Sequence, residues 1–216
     1  MLLTAIEKQQ LDAEVARAEG TTGAQIVAAI VPRSDGYPEL PWIAFVCGLS
    51  LGMLAAVIQY LFRPVWEPSI VYWAAVMLGA GTVAALLCVF TPSLARLLLP
   101  QDRVVMETRQ LAKSLFVDRE VFATHQRIGV LLLTSVFERQ IVVLPDKGLR
   151  DRVSSDAWQR VIEAMRTPLR QGQYALAMST GIKTIEAILI ASGLQGDPGA
   201  TNELPDAIVD LERAQP

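Results

Sequence analysis

Two stretches of this chain stay uncharged for longer than a soluble helix usually does. Leu40 to Phe62 has no Asp, Glu, Lys or Arg over 23 positions, and Pro68 to Ala95 has none over 28. A helix rises about 1.5 Å per residue, so roughly 20 apolar residues cross the ~30 Å hydrocarbon core of a bilayer. Both runs reach that length, which predicts membrane spans at about 41–62 and 69–92. Amphipathic rings collect where hydrocarbon meets headgroups. Tyr37, Trp42, Tyr60 and Phe62 flank the first run, and Trp66, Tyr72 and Trp73 mark the start of the second. The link Arg63 to Pro68 holds six residues, so the spans are expected as an antiparallel hairpin with both flanking segments on one side of the membrane. Each run lies too far from Met1, and is too long, for a cleavable signal peptide.

Composition narrows the function classes. Of 216 residues, 52% are hydrophobic and 19% charged, with a mean hydropathy of +0.36. That is too apolar for an ordinary soluble domain and too charged for a polytopic transporter. The net charge is −3, and there is no block of Lys and Arg to neutralise phosphates, which excludes nucleic acid as a partner. Cys47 and Cys88 both fall inside the apolar runs, where a thiol packs as a small apolar group; neither a disulfide nor a metal site is expected of them. The spans hold no ionisable side chain, which disfavours a small channel or transporter component.

Residues 1–39 and 96–195 together supply one small soluble core, with the hairpin of 40–95 inserted between them. Thr4 and Glu7 form a capping box opening a helix with a stripe of Ile6, Leu11, Val15 and Ala18, ending near Gly20. Ala24 to Val31 is apolar without polar alternation, the pattern of a strand buried on both faces, so it is expected beside the strands that follow the hairpin. Gln101 to about Phe122 reads as a helix. Ile128–Val136 and Gln140–Leu144 read as two strands joined by Phe137, Glu138 and Arg139, with a turn at 145–148. Helices follow at about Ser155–Thr167 and Tyr174–Ser192, the second closed by Gly193. The Gly, Pro, Asp and Asn of 196–216 read as a flexible tail. Strands interleaved with helices predict an α/β layered fold.

Four segments, "AEGTTGAQIVAAIV", "THQRIGVLLLTSVFERQIVVLPDKGL", "SSDAWQRVIEAM" and "PLRQGQYALAMSTGIKTI", resemble in their order the TPM domain family, over roughly Leu3 to Gly193. The chain is similar to a bacterial membrane subgroup in which a transmembrane hairpin is inserted after the first strand. The resemblance implies a small mixed sheet flanked by helices. It also implies two chemical possibilities, a phosphatase activity and a metal site of acidic residues near the sheet edge, with the family's acidic position falling on Asp156. The chain departs from the family in lacking a "D-x-A-G-x-L" signature at its start. It departs again in carrying Asp146 and Lys147 beside a single Gly148 in "LPDKGL".

His125 is the one histidine, and no nucleophile elbow surrounds any serine, so it reads as a solvated or capping residue. Asp146, Asp151 and Asp156 are candidate ligands for Ca2+ or Mg2+, hard cations that want several oxygens. The alternative is a solvated loop, since Lys147, Arg150 and Arg152 interleave with them and Asp156 suits a helix N-terminus. Arg127, Glu138 and Arg139 border the strand hairpin, as edge protection or as a partner surface.

The chain is therefore expected to be a membrane-anchored TPM-like accessory or interaction module, non-enzymatic, with a divalent-metal-dependent phosphatase as the alternative. Its partners are the lipid bilayer and other membrane proteins. Near the spans the soluble flanks carry Arg33, Arg96, Arg103, Arg109 and Lys113, against Arg63 alone in the connector. By the positive-inside rule the soluble domain then faces the cytoplasm from the cell (inner) membrane.

Overall fold

The structure is a computed structural model and describes residues 2–62, 69–124, 126–195 and 209–210. The connector at 63–68, His125 and the tail other than residues 209–210 lie outside the described residues, and with them the expectations placed there.

The chain opens with α1 (Ala5–Thr22), begun by the expected box: Glu7 N–H donates to the Thr4 hydroxyl while the Thr4 N–H donates to the Glu7 carboxylate. Gly23, at φ +70°, supplies the left-handed cap that ends it. β1 (Gln25–Val31) follows, then α2 (Leu40–Phe62), α3 (Ile70–Phe90), α4 (Pro92–Leu97) and α5 (Gln101–Asp118). The second half runs β2 (Gly129–Ser135), β3 (Gln140–Pro145), α6 (Lys147–Arg150), α7 (Ser155–Arg170), α8 (Tyr174–Ala191) and a two-residue β4 (Val209–Asp210).

The sheet order is β3-β2-β1-β4. β1 and β2 are parallel in the register Ile26↔Val130 and Leu133↔Ala29, while β2 and β3 are the antiparallel hairpin. β1 is buried at all seven positions, as its unbroken apolar run predicts. Alternate side chains enter opposite layers. Ile26, Ala28, Ile30, Val130 and Leu132 pack into a cluster with α1, α7 and α8. Val27, Ala29, Val31, Leu131 and Leu133 meet Ala112 and Leu115 of α5 on the other face. The result is a mixed three-stranded sheet between helices, extended by β4 beside β1.

Two details differ from the sequence expectation. Ile6 is 70% exposed, and Leu3 enters the core in its place. Five residues separate Ile6 from Leu11, roughly 140° around a helix, so the two cannot share a face. Also, α8 joins α2 and α3 as a third helix long and apolar enough to cross a membrane. Its apolar face, however, is filled by the core: Met178, Ile182, Ile185 and Leu189 are fully buried in the cluster with α1 and α7.

Residues 36–103 form a compact unit distinct from that of 1–35 with 104–216. Within it α2 and α3 are antiparallel neighbours held by small residues. A Cβ on Gly48 would stand 2.5 Å from the Ala80 carbonyl oxygen, and one on Gly81 2.9 Å from the Phe45 ring. Backbones approach that closely only through glycine. The outward faces are apolar, with Val46, Leu54, Leu61, Val71, Leu86 and Phe90 all exposed.

Candidate functional site

The turn after β3 holds the first candidate. Asp146 extends the β2–β3 ladder, its N–H donating to the Gly129 carbonyl at 2.8 Å. Its carboxylate, 1% exposed, turns inward to receive Arg127: Nε to Oδ2 at 2.7 Å and Nη2 to Oδ1 at 3.1 Å. Oδ1 also caps α6 through the Lys147 N–H at 2.7 Å. Both oxygens are thus engaged by a planar fork and an amide. The backbone closes the same clasp. Arg127 sits at φ +56°, and its carbonyl accepts the Gly148 N–H at 3.0 Å. A Cβ on Gly148 would lie 2.7 Å from the carbonyl oxygens of both Gln126 and Arg127, so only glycine fits there.

The other two aspartates are elsewhere. Asp151 is exposed at the C-cap of α6, and Asp156 is exposed in the first turn of α7, whose N-cap is Ser154. Among the described residues no group of three or more His, Cys, Asp and Glu is placed to hold a metal ion. The structure therefore joins Asp146 to Arg127, the candidate surface residue, rather than to Asp151 and Asp156.

A second polar centre lies at the carboxyl ends of the parallel strands β1 and β2, the position where open α/β sheets hold ligands. Glu138, 8% exposed, folds back from the hairpin turn: Oε1 accepts the Ser34 N–H at 2.8 Å and Oε2 accepts the Ser135 hydroxyl. Ser34 Oγ donates to Thr108 Oγ1 at 3.2 Å, and Thr108 Oγ1 in turn donates to the Val104 carbonyl at 2.8 Å. Ser135 and Thr108 are fully buried. The network ties β1, α5 and the hairpin turn together and presents no exposed reacting atom. Glu138 is thus an internal brace, while Arg139 beside it is exposed at φ +52°. Ser34, Thr108 and Ser135 form no motif in the sequence; the one signal was a glutamate in a two-strand turn.

A cleft of about 480 Å³ opens between the start of α1 and the start of α8, with Glu7, Gln10, Glu14 and Gln173 in its wall. The Thr4 amide and hydroxyl hold the Glu7 carboxyl below its ordinary range. Burial pushes Glu14 upward, but Lys183 and Ser179 outweigh it and the net shift is downward. Glu14 pairs with Lys183 at 2.9 Å, and Arg17 with Glu186 at 2.9 Å, so these charges fasten α1 to α8.

Residues 82–188 match the family model of the TPM domain. That stretch runs from the last turns of α3 to α8 and leaves out α1 and β1, which the hairpin separates from the rest of the sheet. The fold is also similar to the NMR structure of the BA42 protein from the psychrophilic bacterium Bizionia argentinensis. The TM-score is 0.57 and the identity 17%, over 96% of this chain and 94% of that one. No curated protein matches the chain. Across β2, β3 and the helices around them the chain therefore carries a TPM domain.

Proposed function

We propose that this protein is a membrane-anchored TPM-domain module that acts without catalysis, as an accessory or docking element for other membrane proteins. The observation that carries the reading is the Asp146 carboxylate, whose two oxygens are already engaged by Arg127 and the Lys147 amide. A phosphatase built on Asp146, Asp151 and Asp156 would need those oxygens on a divalent cation.

The anchor is the α2–α3 hairpin, with two spans in the inner membrane. α8 is apolar enough for a third span, but it packs in the soluble core and carries Lys183 and Glu186. The excess of Lys and Arg on the soluble flanks supports a cytoplasmic domain. The purified full-length protein is tested against a phosphate ester with Mg2+, Ca2+ or Mn2+. We expect background turnover, unchanged in Asp156→Ala. Metal-dependent turnover that is lost in Asp156→Ala would replace this reading with the phosphatase.

A further inference from the structure

The two edges of the sheet are treated differently. The Val31 carbonyl accepts the Val136 N–H, which turns the odd-numbered backbone groups of β1 toward β2 and the even-numbered ones outward. On that outer side the Ile26 N–H is taken by Glu19 Oε1 at 2.6 Å, and β4 pairs at Ala29 and Ile30. The β1 edge is therefore blocked.

The opposite edge, β3, is left open by the described residues. Asp146 N–H bonds to Gly129, so alternation points Asp146, Leu144, Val142 and Gln140 at β2 and leaves the backbone groups of Ile141, Val143 and Pro145 facing outward. β3 is the terminal strand, and no other described strand pairs with it. Strand edges are usually defended by a charge within the strand, a bulge or a proline. β3, with the sequence QIVVLP, has no charge, and its one proline stands at an outward position, where it removes a single donor and ends the ladder. Two N–H donors and three carbonyl acceptors remain. Exposed cations bracket them: Arg139 immediately before the strand, and Lys147 and Arg150 just after it.

We propose that the β3 edge is a strand-addition site for a short extended segment of another protein, apolar at its centre and acidic at both ends. Backbone hydrogen bonds to Ile141 and Val143 supply the affinity, and the flanking cations select the charge. A second copy of this chain fits less well, because antiparallel pairing of β3 with itself sets the Arg139 end of one copy against the Lys147 end of the other. The proposal rests on the interaction-module reading and names its partner class.

The test uses the full-length protein in lipid nanodiscs and three synthetic peptides. One alternates Val and Thr between paired Glu residues, one has Lys in place of Glu, and one keeps Glu but has Pro at its centre. Amide exchange and binding are read together. The acidic peptide should slow exchange at Ile141 and Val143 and bind at least tenfold tighter than the other two. The double variant Arg139→Glu/Lys147→Glu, with an unchanged thermal melt, should reverse the preference between acidic and basic peptides. Equal affinity for the proline peptide, or no protection at Ile141 and Val143 in folded protein, overturns the proposal. Concentration-dependent self-pairing through β3 overturns it in favour of a dimer. A negative peptide result leaves the module reading in place with another surface, whereas metal-dependent phosphatase turnover removes the module reading whatever the peptides do.

Discussion

Arg127 and Asp146 are 19 residues apart and meet because the backbone at Arg127 adopts a left-handed conformation and Gly148 lets two chain segments touch. Removing the carboxylate deletes a helix cap, about 0.5–2 kcal/mol, and hydrogen bonds to a charged group, about 1.5–3 kcal/mol. The Arg127 side chain is half exposed and recovers solvation when its partner is lost, so the pair counts for less than a buried one. Asp146→Ala should therefore destabilise the domain by about 2–3 kcal/mol by these terms. Gly148→Ala forces a Cβ against two backbone carbonyls and should cost about 1–3 kcal/mol. Denaturant unfolding of each variant checks both figures, and an unchanged midpoint for either would mean that the clasp is not structural. None of this was legible in the sequence. A carboxylate among lysines and arginines in a turn looks the same whether it is solvated, bound to metal or locked under an arginine whose conformation is set elsewhere. Glu138 was obscure for a related reason. It reads as an edge charge, yet its partner Ser34 lies 104 residues away, on the far side of the inserted helical hairpin.

At the scale of elements much more was readable. The long apolar helices α2 and α3 follow from charge-free length, β1 from an unbroken run of apolar residues, and the α1 start from its capping box, because each is dictated by local chemistry. What local chemistry does not give is which helix meets which. The α1–α8 seam combines apolar contacts with the Glu14–Lys183 and Arg17–Glu186 pairs. Glu14 has a folded-state pKa below its ordinary value of 4.5. A depressed carboxylate adds stability that is fully present above the unfolded pKa and disappears as pH falls through the folded one. Glu14→Gln should thus lower the melting temperature at pH 7. The gap to wild type should narrow as the pH falls below 4.5 and through the lower folded-state pKa, where the carboxylate becomes protonated in both states. Paired thermal melts across that range decide the point, since a gap that persists at low pH would assign the loss to packing rather than to charge.

For the molecule as a whole, the question is whether one domain folds across an interruption of two long apolar helices. β1 precedes the hairpin and pairs at seven positions with β2, which follows it. The two ends of the sheet-bearing unit meet through Ser34 Oγ–Thr108 Oγ1 at 3.2 Å and Thr108 Oγ1–Val104 O at 2.8 Å. A few Gly and Ser residues can span that gap at little entropic cost. Joining residue 35 to residue 104 in this way, without the hairpin, should give a soluble domain that unfolds in a single cooperative transition. A chain beginning at Arg96 keeps β2 and β3 but loses α1 and β1. It exposes the inner edge of β2, together with the faces of Leu131 and Leu132 that β1 and its neighbours cover. An uncovered apolar edge of that kind pairs with other chains, so this shorter chain should aggregate. Solubility and melts measured side by side separate the two cases. If the Arg96 chain melts as cooperatively as the relinked one, β1 is dispensable. The sheet would then close without the strand that the insertion sets apart, and the hairpin would follow a complete domain rather than divide one.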